Sequence, residues 1–313
     1  AMLFILSFFV SCTLQQEDRP QGYALVYGIT DYNLVPDLSL TRSDAEAMAE
    51  LFTNQGYEVL LRIDNDNGVP ASLDQLKADI DYVKNVITEE ENFVFYFSGH
   101  GGRHLDLYLE YSDPQGNESE DSDPDDEWLF LYGSLTSVFF EDWSETAVSD
   151  EMLNTIIADI PTPKKAIIID ACNSAGFIGT SPDVDRIPAD FEWDQKTVKE
   201  GIYSDALSLY LHYPEIEETD IPSHSAYVLS ASGELEYSWE NSGIQHGIFT
   251  YYLLQSPVYA DTNLDGHITI DEIYKYTSER IMTNWNTELS DTVYHYHPHI
   301  TGGPVTFSLL KAE

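Results

Sequence analysis

The sequence predicts an α/β fold with a mostly parallel central sheet, and three observations support that prediction. Strand-like apolar runs alternate with helical segments, as they do in βαβ units. The runs at residues 93–97 and 166–169 are continuously apolar, which is typical of parallel strands covered on both faces. Small and turn-forming residues follow both runs, so the loops after them are expected to face one crevice.

The elements follow in chain order from apolar periodicity and from end signals. Gly56 is the stop signal of the first helix, and Ser72 is the predicted N-cap of the second. The predicted strands cover residues 23–29, 57–63, 92–97, 166–169, 226–231 and 305–309. The predicted helices cover residues 43–55, 72–88, 149–160, 247–255 and 271–284.

An acidic loop over residues 112–127 interrupts this alternation, between short apolar stretches at 105–111 and 128–132. Its carboxylates repel one another and resist packing, so we expect a solvated excursion from a hairpin. The acidic residues are Asp113, Glu118, Glu120, Asp121, Asp123, Asp125, Asp126 and Glu127.

The overall charge restricts which kinds of molecule the protein can bind. The chain has 55 acidic and 14 basic residues, and its net charge is -41. Such a chain is repelled by nucleic acid and by anionic lipid, which excludes both as partners. Cationic peptides and divalent metal ions are the favoured partners. The sequence does not predict an oligomeric state.

The first twelve residues have the pattern of an export signal. Residues 2–10 form a continuous apolar run that is too short to span a membrane. Ser11 and Cys12 follow directly, as in a bacterial lipoprotein signal whose cysteine is acylated. We therefore predict a signal over 1–12, a linker over 13–22 and one domain over 23–313.

The predicted location follows from this signal. The protein is expected to be exported, as a bacterial membrane-anchored lipoprotein or as a periplasmic or extracellular protein, with membrane contact only through the lipid. An uncleaved or fully removed signal is the alternative. With Cys12 lipidated, Cys172 is the one remaining thiol, and no intramolecular disulfide can form.

A histidine and a cysteine follow the two buried strand runs. His100 lies among Gly99, Gly101 and Gly102, which let backbone approach a ligand closely, whereas Cys172 follows the second run. A thiolate is a nucleophile, and a nearby imidazole favours its formation. Backbone N–H groups of Gly101 and Cys172 are placed to bind an oxyanion. The alternative is that Cys172 is a small buried hydrophobe.

In these segments the sequence resembles the caspase and metacaspase group of cysteine peptidases, in particular its bacterial members. The resemblance implies a caspase-like three-layer α/β/α sandwich. It also implies a peptidase with Cys172 as nucleophile, His100 as general acid/base and no third catalytic residue. Asn173 replaces the histidine that metacaspases often carry there. The segments that carry the resemblance, in family order, are residues 23–32, 40–59, 98–101, 170–174, 228–232, 238–241 and 246–250.

Charge near the predicted nucleophile indicates the substrate. Caspases bind an aspartate with two arginines and a glutamine, whereas here Asp170 replaces the glutamine and Glu240 replaces an arginine. Asp44 stands where metacaspases carry an acidic pocket residue, and Ser98 and Ser232 complete the predicted substrate-binding set. We therefore predict cleavage of peptides and proteins after Arg or Lys. The alternative is that Glu240 is a solvated rim residue and Asp44 a helix-start residue.

Residues 261–272 match the pattern of an EF-hand calcium loop. Gly266 supplies the sharp turn and Ile268 the anchor in the core, whereas the stretch before the loop is a poor entering helix. The sequence therefore predicts Ca²⁺ as cofactor, in a loop followed by one helix. The predicted ligands are Asp261, Asn263, Asp265, His267 through its carbonyl group, Thr269 and Glu272.

Weaker metal candidates lie elsewhere. The resemblance to metacaspases also implies a second, activating acidic site, for which Asp125, Asp126, Asp150 and Glu151 are the nearest candidates; the alternative is that the acidic loop is simply solvated. The alternating His295, His297 and His299 are interpreted as a surface strand or tail because Pro298 interrupts them.

Three functional alternatives stay open, and the peptidase alternative also predicts self-cleavage. The protein is either the peptidase above, a non-catalytic calcium-binding surface lipoprotein on the same scaffold, or a peptidase of the legumain, gingipain or clostripain type. The segment 179–223 occupies the place where caspases are cut between subunits. Arg186, Lys196 and Lys199 are its basic residues, and an Arg/Lys-directed enzyme is expected to cut itself at one of them.

Overall fold

The strands and helices are taken from a computed structural model that describes residues 19–33, 37–103, 127–134, 146–171, 202–204, 226–233, 236–287, 289 and 295–313. For residues 202–204 only the backbone is described. Several predictions from the sequence lie outside these ranges. They are the signal and most of the linker, the stretch 105–111, the acidic loop up to Asp126, Cys172 and the segment 179–223 apart from residues 202–204.

The strands are numbered in chain order through the described part of the protein. They are β1 (Gly22–Gly28), β2 (Tyr57–Ile63), β3 (Asn92–Ser98), β4 (Gly101–Arg103), β5 (Glu127–Leu129), β6 (Val148–Ser149), β7 (Lys165–Asp170), β8 (Ile202–Ser204), β9 (Tyr227–Ser230), β10 (Trp239–Asn241), β11 (His246–Gly247), β12 (His267–Thr269), β13 (His299–Thr301) and β14 (Ser308–Lys311).

The helices are numbered in the same way. They are α1 (Thr41–Asn54), α2 (Leu73–Val86), α3 (Asp150–Ala158), α4 (Ile248–Leu253), α5 (Ser256–Tyr259) and α6 (Ile270–Ile281). A short 3-10 turn covers Asp66–Gly68, and a π-helical turn, Met282–Asn286, follows α6. In the described part of the chain, no helix is long and apolar enough to cross a membrane.

The central sheet has six strands in the order β13-β9-β7-β3-β1-β2. All neighbours are parallel except β13, which pairs antiparallel with β9 at the edge. The prediction of a mostly parallel sheet is therefore confirmed. Parallel pairing requires crossover connections, and α1 and α2 supply them on either side of β2.

Two apolar cores, one on each face of the sheet, make the predicted three-layer sandwich. Successive residues of β1 alternate between them: Leu25 faces the core of α2 and α3, whereas Val26 faces the core of α1, α4 and α6. Phe95 and Tyr96 alternate in the same way on β3. Burial on both faces explains why these strands are continuously apolar.

Three of the described helices, α2, α3 and α6, begin with a side-chain cap. Ser72 precedes α2, and its side chain accepts a hydrogen bond from the backbone N–H of Gln75, as predicted. Ser149 does the same for α3 through the N–H of Met152. Helix α6 begins with a full capping box between Thr269 and Glu272.

Some element positions differ from the prediction. The closing strand begins at Ser308, after the Gly302-Gly303-Pro304 breakers, and pairs with β12 instead of the central sheet. The strands that flank the acidic loop, β4 and β5, do pair antiparallel, as a hairpin requires. The first of them is Gly101–Arg103, earlier than the predicted stretch.

Candidate active site

The carboxyl ends of β3 and β7 lie side by side. Ser98 and Asp170 are register partners there, and the N–H of Gly99 donates to the carbonyl oxygen of Asp170 at 3.3 Å. His100 follows β3 and is 1% exposed. The described part of the second segment ends at Ala171, so Cys172 is the next residue along the chain but lies outside it. The chain segments that lead to His100 and to Cys172 therefore leave the sheet at adjacent strand ends, as predicted.

The backbone of His100 is held by two partners. Its N–H donates to the Tyr32 hydroxyl at 2.9 Å, and its carbonyl oxygen accepts from the N–H of Phe130 at 3.1 Å. The Tyr32 ring also packs against the imidazole, with the ring centroids 4.6 Å apart. Tyr32 was within the matched family segments but received no role from the sequence, because no spacing pattern signals a contact of this kind.

The predicted oxyanion donor Gly101 starts β4. His100 and Phe130 are a hydrogen-bonded pair of the ladder, so the next pair, Gly101 and Leu129, is a non-hydrogen-bonded one. In such a pair the N–H points away from the partner strand. The Gly101 N–H is therefore not used by β5.

Two of the predicted pocket residues, Asp44 and Asp170, come together around Gly247. The N–H of Gly247 donates to both oxygens of Asp44 at 3.1 Å. A Cβ atom at Gly247 would lie 2.7 Å from Asp170 Oδ2 and 2.9 Å from Asp44 Oδ2. Both carboxylates thus border the Cα atom of Gly247, and only glycine fits between them without displacing one. The sequence did not predict this role for Gly247.

Further hydrogen bonds orient these carboxylates. Asp170 accepts from Ser238 Oγ, and also from the backbone N–H and hydroxyl of Thr250 at 3.2 and 2.6 Å. Ser98 Oγ donates to Asp44 Oδ2 at 3.4 Å. These bonds place both acidic groups at the start of α4, where the helix dipole also favours negative charge.

Burial perturbs both acids. Asp44 is 1% exposed, and removal from water raises its pKa to about 7, with the charge of Asp170 adding to the rise. Burial likewise raises the pKa of Asp170, against its hydrogen bonds from Ser238 and Thr250. A pair of desolvated carboxylates is a strong site for a cation, because a bound positive charge favours the ionised form of each.

His246 is a further neighbour that the sequence did not single out. Its Nδ1 lies 2.8 Å from Asp44 Oδ1, and its side chain is 20% exposed. It therefore stands between the buried Asp44 and solvent. The segment containing His246 was part of the family resemblance, but nothing in that pattern pointed to Asp44.

The remaining predicted substrate residues serve neighbouring backbone. The Glu240 carboxylate accepts from the N–H groups of Ser39 and Leu40 at 3.1 and 2.7 Å, just before α1. It is buried, and burial raises its pKa. Ser232 Oγ donates to the carbonyl oxygen of Ala171 at 3.0 Å, which ties the end of β9 to the residue before Cys172.

The 261–272 loop, predicted from the sequence to bind calcium, makes a sharp turn held by its own side chains. Gly266 has a φ of +81°, as the sharp turn requires, and its N–H donates to Asp261 Oδ2 at 3.0 Å. Asn263 and Asp265 accept the N–H groups of Asp265 and His267, each at 2.8 Å. Ile268 is fully buried as predicted, and it pairs with Leu310 of β14.

The oxygen donors of this loop fit a hard cation, although they do not converge on one point. Glu272 Oε2 accepts from the N–H and hydroxyl of Thr269, each at 3.0 Å, as part of the capping box. Among the residues described, no three His, Cys, Asp or Glu side chains are grouped so as to hold a metal ion. The side chains at alternating positions of the loop offer oxygen donors, the ligand type that Ca²⁺ binds.

The described residues include some of the other residues predicted as metal candidates. Asp125 and Asp126 lie outside the described ranges, whereas Asp150 and Glu151 form the first turn of α3. His299 begins the edge strand β13, and His297 Nδ1 lies 2.7 Å from Glu236 Oε1.

These features define an α/β protein whose polar and acidic groups meet at the carboxyl ends of parallel strands, beside a buried histidine. The chain belongs to the caspase domain family, whose model matches residues 21–301. That membership supports a function of the cysteine peptidase type in general.

One solved structure illustrates the fold. The chain is similar to a crystal structure of a protein from Geobacter sulfurreducens, with a TM-score of 0.55 and 16% sequence identity. The match covers 94% of this chain and 98% of the other, and at this identity it is evidence of the fold alone. No curated protein matches the sequence.

Proposed function

We propose that this protein is a cysteine endopeptidase that uses Cys172 and His100 and cleaves after Arg or Lys. The observation that carries the proposal is the pair of buried carboxylates, Asp44 and Asp170, that border Gly247 beside the strand end leading to His100.

The reaction follows from ordinary thiol chemistry. His100 accepts the proton of the Cys172 thiol, and the thiolate attacks the carbonyl carbon of the scissile peptide bond. The N–H groups of Gly101 and Cys172 bind the resulting oxyanion. Protonated His100 then gives its proton to the leaving amine, the C–N bond breaks, and a thioester remains. Water hydrolyses the thioester, which releases the acid product and restores the thiol.

The specificity follows from charge. A guanidinium or ammonium group of the substrate neutralises one or both acids near Gly247 and stabilises their ionised forms. An aspartate side chain placed there would be repelled by desolvated like charge, at a cost of several kcal/mol. Glu240 is close enough to Asp170 for their charges to repel, although its own oxygens accept hydrogen bonds from the backbone before α1.

A peptide panel tests the proposal. Peptides with Arg, Lys, Asn or Asp before the scissile bond should show at least about 100-fold preference for the basic residues. Cys172→Ala and His100→Ala should abolish cleavage. Asp170→Asn should remove the preference. Asp79→Asn, which changes a buried acid of α2 that pairs with Arg62 of β2, should retain it.

Each outcome separates the alternatives. Preference for Asp before the scissile bond would contradict the proposed acidic pocket. Preference for Asn would favour a peptidase of the legumain type. No cleavage of any peptide by the wild type would favour a non-catalytic calcium-binding protein.

We also propose that the 261–272 loop binds Ca²⁺ and that the ion stabilises the domain. The support is the all-oxygen donor set, the turn at Gly266 and the buried Ile268. The ligands of the ion are residues of this loop: Asp261, Asn263, Asp265, Thr269, Glu272 and the carbonyl group of His267. The ion would cross-link the entry of the loop to the first turn of α6.

Calorimetric titration with Ca²⁺ tests this second proposal. Wild type should bind one equivalent, and at 100 times Kd its unfolding midpoint should rise by about 5 °C. Glu272→Gln should weaken binding strongly, whereas Glu279→Gln, an exposed acid on the same helix, should bind as wild type does. Equal binding by both variants would contradict the site.

We further propose that the protein is exported and held at a bacterial membrane by acylated Cys12, and that its partners are basic peptides or proteins and not nucleic acid. The support is the apolar run before Cys12 and the net charge of -41. Labelling of cells with an alkyne fatty acid tests the anchor: the label should appear on the wild type and be lost in Cys12→Ala.

A further inference from the structure

We propose that Tyr32 is the positioning residue of His100. This inference rests on the proposed peptidase function and names a residue that sets the placement of its acid/base group. The evidence is the place of the Tyr32 hydroxyl within the β4–β5 ladder.

His100 and Phe130 continue that ladder by one pair beyond Gly101 and Leu129. A hydrogen-bonded antiparallel pair normally exchanges two N–H···O bonds. One of them is present, from the N–H of Phe130 to the carbonyl oxygen of His100 at 3.1 Å.

The Tyr32 hydroxyl takes the place of the other bond. It accepts the N–H of His100 at 2.9 Å and donates to the carbonyl oxygen of Phe130 at 3.1 Å. The hydroxyl thus separates two backbone groups that would otherwise bond directly. The strand ends are held apart at the residue that carries the imidazole.

Packing supports the same role. The Tyr32 ring lies against the imidazole, and Tyr32 and His100 are both buried. A Cβ atom at Gly99 would lie 2.8 Å from the Tyr32 hydroxyl, so glycine at that position leaves room for it. Outside the core, the exposed Asp37 accepts the N–H of Tyr32 at 3.0 Å and fixes its backbone.

Removing the hydroxyl should therefore misplace the imidazole without removing the core contact. In Tyr32→Phe, the His100 N–H and the Phe130 carbonyl either bond directly to each other or lose the hydrogen bonds that the hydroxyl supplies. Substrate binding near Gly247 does not involve Tyr32. We expect kcat to fall by about 10- to 100-fold while KM stays within about twofold.

The chain offers a matched control in Tyr57. Its hydroxyl is also buried, accepts an N–H from the Asn92 side chain at 2.8 Å and donates to a backbone carbonyl, that of Leu309, at 2.7 Å. Tyr57→Phe removes the same kind of bonds at the opposite end of the sheet. It should lower the unfolding midpoint to a similar degree and leave kcat at the wild-type value.

The experiment measures kcat and KM of both variants in the full chain, with the best peptide of the panel. It also measures the rate of Cys172 alkylation by iodoacetamide against pH. Tyr32→Phe should alter the alkylation profile and kcat, and Tyr57→Phe should alter neither. Wild-type kcat in Tyr32→Phe, an equal loss in Tyr57→Phe, or a change confined to KM would overturn the inference.

Three other variants make the result decisive. If Tyr32→Phe does not fold, Asp37→Ala replaces it: a lower kcat at constant KM supports the inference, and a wild-type kcat overturns it. If Cys172→Ala or His100→Ala remains active, the proposed function fails and the inference fails with it. If those variants are inactive and Tyr32→Phe is not impaired, only the inference fails.

Discussion

Ser98 and Asp170 are register partners at the carboxyl ends of two neighbouring parallel strands, and each stands two residues before a predicted catalytic residue. Ser98 Oγ donates to Asp44, and Asp44 and Asp170 both border Gly247. The chemistry and the specificity proposed for this domain are therefore built on one edge of one sheet, so that a change at Gly247 or Asp44 should reach substrate binding directly.

Substrate binding should depend on pH through Asp44. Its pKa of about 7 means that the free enzyme carries a proton there at about pH 5 and has released it by about pH 8. Because only the ionised acid pairs with a cation, the Ki of the competitive inhibitor benzamidine should fall as pH rises through about 7. In Asp44→Asn, this pH dependence should disappear; its persistence would assign it to another group.

The same shift affects stability in the opposite direction. Between the ordinary value of 3.8 and about 7, the folded state holds a proton on Asp44 that the unfolded state has released. The contribution of Asp44 to the free energy of unfolding is therefore fully present below pH 3.8, and it is lost as pH rises through the folded-state pKa of about 7. As pH rises across this window, the wild type should lose unfolding free energy relative to Asp44→Asn, because the variant has no group that titrates at this position. Urea denaturation of both proteins measures the difference.

Gly247→Ala should damage recognition of basic residues. The new Cβ atom would press on Asp170 Oδ2 and Asp44 Oδ2 at 2.7 and 2.9 Å, so one carboxylate must move. We expect kcat/KM for an Arg peptide to fall by about 10- to 100-fold. Gly302→Ala is the control, because a Cβ atom there meets nothing within 4 Å. Equal activity of the two variants would show that the carboxylates near Gly247 do not bind substrate.

Calcium should protect the C-terminal strand from hydrogen exchange. The loop residue Ile268 pairs with Leu310, and the N–H of Ala312 donates to the carbonyl oxygen of Gly266 at 3.1 Å. An ion that fixes the loop therefore stabilises those bonds. Exchange measured by mass spectrometry should slow in a peptide covering 307–313 when Ca²⁺ is added. An unchanged rate there, with calcium bound, would limit the effect of the ion to the loop.

The predicted self-cleavage should require the nucleophile. Purified wild type should be cut after one or more of Arg186, Lys196 and Lys199, which lie outside the described residues. Cys172→Ala and the triple change of these residues to Gln should both stay intact by mass spectrometry. A triple variant that is intact and fully active would show that processing is not needed for activity.

The sequence predicted the central strand β3 well because burial on both faces leaves a continuous apolar signal, whereas short strands such as β10 and β13 were not predicted. The bounds of β2 coincide with the prediction, and those of β3 differ by one residue. The closing strand was placed too early, since its partner is β12, and a partner in another sheet leaves no local mark.

The site was predicted only in part. Pattern and resemblance pointed to His100, Asp44 and Asp170, but not to the neighbours that hold them. His246 contacts Asp44 across 202 positions, and Tyr32 bonds to His100 across 68. Contacts of this range depend on how side chains meet after the sheet has formed, which a linear pattern does not record.

The place of β14 bears on the speed of folding. Its backbone carbonyl groups accept hydrogen bonds from the side chains of Gln55, Tyr57 and Asn92, which lie 256, 252 and 216 positions earlier. The first crossover of the sheet therefore completes its bonds only with residues 308–311. Contacts of such long separation slow folding, because the loop entropy must be lost before they form. We expect the newly made chain to reach its native state only after residues 308–311 have been made.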